Sequence, residues 1–226
     1  MDLRFWRKKW LLAAVVIMIV VTALSIFIVT LRFDYDREND AIMQYFAHQP
    51  GMSDAFTALE TLTPPNSVTL CWWDYGRAVR EWSHREVIEA YPSREIAESV
   101  GSYRSLWGNL EAQLFAKWGS NDRIKDIARA FTLNEEESLQ ITNKYGAGYV
   151  LVFVPDELEK FYWIAKIGGF NSTDYLTYDT ATKTYEPTTR GEEVTLLRLV
   201  FDDKWQPRHF TKLYDNEKAK IYRINY

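Results

Sequence analysis

Residues Leu11 to Leu31 read LLAAVVIMIVVTALSIFIVTL, 21 positions without a charge. At 1.5 Å per residue such a run makes a helix about 30 Å long, one hydrocarbon thickness. Its polar members, Thr22, Ser25 and Thr30, carry hydroxyls that can bond back to their own helix carbonyls. A cleaved secretory signal has a shorter apolar core and a small-residue cleavage site, whereas this run ends in Thr30-Leu31-Arg32-Phe33. The expectation is therefore an uncleaved transmembrane signal anchor over 11–31. Arg4, Arg7, Lys8 and Lys9 precede the run, and Asp34, Asp36, Glu38 and Asp40 lie after it along with Arg32 and Arg37. The positive-inside bias makes 1–10 a cytoplasmic tail and everything after the run extracytoplasmic. Trp6 and Trp10 stand where an interfacial aromatic belt would sit.

The chain beyond the anchor has the composition of a folded domain. Nine Trp, fourteen Tyr and twelve Phe supply enough bulky apolar surface to exclude disorder for most of the chain. Cys71 is the only cysteine, which excludes an internal disulfide, a CxxC redox pair and a multi-thiolate metal site. His48, His84 and His209 are too far apart for a zinc helix of the HExxH kind. A formal net charge of −4 argues against a nucleic-acid partner. Asn171-Ser172-Thr173 is an N-glycosylation sequon, compatible with an exported domain.

The spacing predicts a membrane-proximal helical segment over 32–62, interrupted at Pro50-Gly51, and a stop at Thr63-Pro64-Pro65-Asn66. The globular domain then runs over 63–226. Ser67 to Trp73 reads as a short buried strand, and mostly helical periodicity comes next, from Arg77 to Tyr145 (Leu106, Leu110, Leu114; Ile124, Ile127, Ala128, Phe131). Asn134 is a candidate helix cap with Glu137 closing a capping box. Tyr149 to Val154 reads as a buried strand and Asp156 to Lys166 as a helix ended by Gly168-Gly169. Val194–Phe201, His209–Tyr214 and Ala219–Tyr226 read as strands. The fold class is mixed α/β, with one N-terminal transmembrane helix and a globular domain helical first and sheet-rich toward the C-terminus.

The string Trp72-Trp73-Asp74-Tyr75-Gly76 has the richest chemistry. It can be a core strand whose acid caps a turn. It can also be a recognition pocket: indoles offer an apolar wall for a methyl group, and a carboxylate accepts a hydroxyl hydrogen bond, the two features of a Thr or Ser side chain.

WWDYG resembles the signature of the catalytic subunit of oligosaccharyltransferase, the membrane enzyme of N-linked protein glycosylation. The resemblance implies that Trp72, Trp73 and Asp74 grip the Ser/Thr of an N-x-S/T acceptor sequon. Glu157-Leu-Glu-Lys160-Phe-Tyr-Trp-Ile164 resembles the D-x-x-K-x-x-x-(I/M) helix of the family's archaeal-type members, with Glu in the place of Asp. Carried over, it adds Lys160 and Ile164 to the pocket; at 100° per residue Glu157, Lys160 and Ile164 share one helix edge. Read without the resemblance, Glu157 and Lys160 are an ordinary surface pair. The ending Lys220-Ile-Tyr-Arg-Ile-Asn-Tyr226 is similar to the family's terminal K-I-Y-E-V strand. After WWDYG the chain departs from the family, continuing Arg77-Ala-Val-Arg80-Glu-Trp-Ser-His84-Arg85.

In that family the acidic metal ligands and the lipid-linked oligosaccharide site lie on loops between about a dozen further membrane helices. Asp34-Tyr35-Asp36 is a D-x-D, but in an acidic juxtamembrane stretch it reads as solvated linker, and a hard cation wants about six oxygen ligands. The implied role is therefore a membrane-anchored sequon-binding subunit, non-catalytic alone, with no cofactor of its own. Mn²⁺ or Mg²⁺ would enter only in a complete transferase. The implied partners are the membrane, a polytopic glycosyltransferase subunit and N-x-S/T acceptor peptides. Two other readings are a structural or interaction protein keeping the fold without peptide binding, and a fragment of a catalytic glycosyltransferase subunit.

Overall fold

A computed structural model describes residues 3–49, 51–99 and 106–226. Met1 and Asp2 of the expected tail, and Pro50 of the expected helix break, lie outside the described residues. Two units are distinguished: residues 1–42 with 103–116, and residues 43–102 with 117–226.

The first unit holds most of helix α1 (Leu3–His48) and a shorter helix, here α5 (Leu106–Phe115). Leu12–Phe33 is long and apolar enough to cross a membrane, and within it only Leu31 is buried. Its hydroxyls turn back on the helix: Thr22 Oγ1 donates to Met18 O at 2.8 Å, Ser25 Oγ to Val21 O at 2.8 Å and Thr30 Oγ1 to Ile26 O at 3.0 Å. The helix does not stop at the end of the apolar run but continues to His48, with Arg32 and Asp36 paired at 2.7 Å across one turn.

The second unit is a mixed α/β domain. Helix α2 (Met52–Leu62) buries Phe56 and Leu59. Strand β1 (Val68–Leu70) leads through a 3₁₀ turn, Trp73–Tyr75, into α3 (Gly76–Trp82) and β2 (Glu86–Val87). Then come α4 (Arg94–Ser99), α6 (Asn121–Thr132) and α7 (Glu135–Lys144). Strand β3 (Ala147–Phe153) runs directly into α8 (Val154–Gly168), which Gly169 ends at φ 89°. A hairpin of β4 (Leu176–Asp179) and β5 (Thr184–Pro187) precedes α9 (Thr195–Val200), β6 (Phe210–Asp215) and β7 (Ala219–Ile224).

The main sheet has the order β2-β1-β3-β7-β6. Strand β1 is parallel to β2 and to β3, while β7 is antiparallel to β3 and β6. The core around β3 is aromatic: Phe153 lies 5.6 Å from Phe56 and 4.6 Å from Tyr75, ring centre to ring centre.

Several local expectations hold. Asn134 caps α7 by accepting from Glu137 N at 3.0 Å, and its amide donates to the Glu137 carboxylate at 2.8 Å. Others need correction. The strand expected over Ser67–Trp73 ends at Leu70, because the next residues turn into the 3₁₀ segment. Val194–Phe201, read as a strand, contains the helix α9. A short run with Leu196, Leu197, Leu199 and Val200 all buried has no period that separates strand from helix. The terminal strand carries anchors: Lys220 Nζ donates to Val200 O at 2.8 Å and Tyr222 OH to Leu199 O at 2.7 Å, tying down the last carbonyls of α9. Asp202 joins them, 2.6 Å from Lys220 Nζ and 2.8 Å from Tyr222 OH, sharing the hydroxyl proton with Leu199 O.

Candidate functional site

Strands β1 and β3 are parallel neighbours, so both release the chain at the same sheet edge. From β1 comes Cys71-Trp72-Trp73-Asp74-Tyr75; from β3 come the first two turns of α8 with Asp156, Glu157 and Lys160. The carboxyl ends of neighbouring parallel strands, where the order reads 2-1-3, are where α/β folds form their crevices. The turn is tight because Gly76 leaves no room for a side chain. A Cβ there would lie 2.5 Å from Glu89 O and 2.6 Å from Ala90 Cα.

Four polar groups meet at this edge. Lys160 Nζ donates to Asp74 Oδ2 at 2.8 Å, to Tyr75 OH at 2.8 Å and to Asp156 Oδ2 at 3.3 Å. Tyr75 OH donates to Asp156 Oδ2 at 2.9 Å, and the ammonium stands 4.4 Å from the centre of the Tyr75 ring. Burial pushes the Asp74 carboxyl up, and the Lys160 charge opposes that shift. Burial works against the Lys160 ammonium, but the surrounding acids, Asp74 foremost and then Asp156 and Glu157, together raise the lysine above its ordinary range. Burial among these acids drives the Tyr75 hydroxyl far up, so it stays a neutral donor.

Two polar atoms here have no partner. Asp74 Oδ1 and Trp73 Nε1 are buried without a hydrogen bond. An orphaned acceptor and an orphaned donor on adjacent residues are costly in a finished core. Trp73 is half-buried, whereas Trp72 keeps only 3% of its surface.

The residues singled out in the sequence divide accordingly. Asp74 and Lys160 are brought together; Trp73 is beside Asp74 in the chain and partly open; Trp72 and Ile164 are core. The expected surface pair Glu157–Lys160 is not formed. Glu157 is fully buried with both carboxyl oxygens unpartnered, and burial drives its carboxyl well up, which favours its neutral form. Its place beside the lysine is taken by Asp156, one helical turn before Lys160. Sequence reasoning missed Asp156 and the hydroxyl of Tyr75, although an acid and a lysine at i, i+4 on a helix were in view. Cys71 is buried, and burial together with the nearby Glu157 raises its thiol, so it is inert packing.

Among the described residues no group of three or more His, Cys, Asp or Glu is placed to hold a metal ion. Asp36 of the D-x-D is engaged by Arg32. The described residues therefore do not fit a catalytic divalent cation.

No protein-family model matches the chain. Over 123 residues it is 25% identical to the dolichyl-diphosphooligosaccharide–protein glycosyltransferase subunit STT3B of Oryza sativa subsp. japonica. The match covers 51% of this chain and 14% of the rice protein. The subunit of the same name from Arabidopsis thaliana is 24% identical over 123 residues, 13% of its length. The chain thus spans a small part of the curated relatives it matches. The C-terminal globular domain of an oligosaccharyltransferase from Archaeoglobus fulgidus superposes with a TM-score of 0.50 at 19% identity, covering 77% of this chain and 96% of that domain. Sequence likeness and fold thus agree with the resemblance read from WWDYG, and the mixed α/β unit has the fold of the oligosaccharyltransferase C-terminal domain.

Proposed function

We propose that this protein is a membrane-anchored member of the N-linked glycosylation machinery whose domain holds the Ser/Thr of an N-x-S/T acceptor sequon. The single observation behind the reading is the unsatisfied Asp74 Oδ1 beside half-buried Trp73, with Lys160 holding the other carboxylate oxygen. A Thr hydroxyl donated to Oδ1 would satisfy the orphan, and its methyl would meet the Trp73 ring. Trp72 and Ile164 back the niche from the core. Lys160 favours the ionised, accepting form of the carboxylate against the burial that raises it.

The glycosyl transfer itself is assigned to a polytopic partner, because the resemblance puts the acidic ligands and the lipid-linked donor on other membrane helices. Any Mn²⁺ or Mg²⁺ then belongs to the assembled transferase. The basic residues before the apolar run support a cytoplasmic N-terminus and an extracytoplasmic domain.

A second reading, a structural module that keeps the fold without peptide binding, is favoured by the burial of Trp72 and by the Asp74–Lys160 pair. Acrylamide quenching of tryptophan fluorescence separates the two. On the pocket reading, millimolar N-x-T peptide shields a quenchable fraction that Trp73→Phe removes. On the structural reading the peptide changes nothing. Co-purification from native membranes tests the polytopic partner.

A further inference from the structure

Helix α5 belongs to the first unit. Residues 103–116 group with α1 although the chain on both sides belongs to the second unit. The contact is at one level of α1: the Phe115 ring lies 5.9 Å from the Tyr35 ring, and the Arg32 guanidinium stands 5.3 Å from the centre of Phe115. Arg32 and Tyr35 bracket Phe33, where the apolar span Leu12–Phe33 ends. Where Leu12–Phe33 spans a bilayer, α5 stands at the height at which hydrocarbon gives way to headgroups.

A second apolar face points elsewhere. Leu106, Leu110 and Leu114 recur every four residues in the sequence. At 100° per residue, Leu110 and Leu114 are centred about 150° from Ala112 and Phe115. Ala112 is buried and Phe115 meets α1, whereas Leu114 is 53% exposed. Glu111 is the only charged residue among the ten of α5. Leu114 is open and Leu110 half-buried on a helix with one charge that meets the end of the apolar span, an arrangement suited to the boundary between acyl chains and headgroups.

We infer that α5 is an interfacial helix, lying at the bilayer surface on the Phe33 side with Leu110 and Leu114 toward lipid. The inference rests on the reading of α1 as a membrane anchor and is independent of the sequon pocket. Arg32, paired with Asp36 and set against Phe115, then marks the polar boundary of the same interface.

The test uses the full chain in phosphatidylcholine vesicles with acyl-brominated lipid. Single cysteines at Leu114, at Ile19 in the span and at Tyr178 on the exposed hairpin carry an environment-sensitive fluorophore. Cys71 is buried, and unmodified protein gives its background. The expected result is that the labels at Leu114→Cys and Ile19→Cys are both quenched by bromolipid, at least twofold more than that at Tyr178→Cys. If Ile19→Cys is quenched while Leu114→Cys behaves like Tyr178→Cys and is open to iodide, the interfacial helix is wrong and the anchor stands. If the label at Leu114 is shielded from both quenchers, a protein partner covers that face and the inference is equally wrong. If Ile19→Cys is not quenched, the anchor reading fails and takes this one with it.

Discussion

Lys160 Nζ and Asp74 Oδ2, 86 positions apart in the chain, stand 2.8 Å from each other. Side-chain exposure is 29% for the lysine and 23% for the aspartate, so the pair is neither a screened surface bridge nor a sealed one. It ties the turn after β1 to the first turns of α8. The same ammonium also meets Tyr75 and Asp156, which makes it the centre of the site.

Replacing it has a defined cost. Lys160→Met keeps the aliphatic stem but leaves Asp74 and Asp156 facing each other without their cation. Stability should fall by about 1–3 kcal/mol, the cost of charged hydrogen bonds lost in a partly desolvated place. Urea denaturation checks this, and the midpoint should shift with the slope unchanged.

Glu157 predicts a pH dependence. Its carboxyl is raised in the folded state, so between the ordinary glutamate value and the folded one the native chain holds a proton that the unfolded chain has lost. Its contribution is complete at acid pH and declines as pH rises, by up to about 1.4 kcal/mol per pH unit while that difference persists. Glu157→Gln should match the parent near pH 4 and exceed it increasingly toward neutral pH. Thermal melts across that range read the divergence directly; parallel curves would mean that Glu157 is charged in the fold.

Gly76→Ala tests the turn. The added methyl meets the backbone of Glu89 and Ala90, not a flexible side-chain end, so the 89–90 segment must move. A loss of about 1–3 kcal/mol is expected, as for overpacking elsewhere. Gly148→Ala, where a Cβ would meet nothing within 4 Å, is the control.

Glu135 is a structural counterpart to the site. Its carboxylate is 3% exposed and accepts from Arg198 Nη1 at 2.8 Å, Arg208 N at 2.8 Å and His209 N at 2.9 Å. Glu135→Ala leaves two amides unpaired and the half-buried Arg198 guanidinium beside exposed Glu192, 3.6 Å away, so a loss of about 1–3 kcal/mol should appear in thermal or denaturant unfolding.

The sequence carried the site unevenly. Asp74 and Lys160 were legible because both stand at positions of a recognisable pattern, and the structure brings them into contact. Asp156 was hidden because Glu157 occupied the acid's slot in that pattern. Only the packing of α8, which turns Glu157 into the core, shows which acid meets the lysine. The fold class and the strands β3, β6 and β7 could be read from apolar runs and turn residues, whereas α9 could not, since a six-residue buried segment has no solvent face to set its period. The Asp202 anchor of the terminal strand depended on a tertiary contact with no local signal.

The most direct measurement is an NMR titration of the full chain in detergent, monitoring Trp indole and Lys160 ammonium resonances with two peptides that differ only as N-x-T and N-x-V. One hydroxyl bond to a charged group contributes about 1.5–3 kcal/mol, and association consumes much of it. The threonine peptide should bind with millimolar affinity and shift the Trp73 resonance, with binding tenfold or more weaker for valine and lost in Asp74→Ala. Equal responses to both peptides, or no response at Trp73 to either, would contradict the sequon pocket.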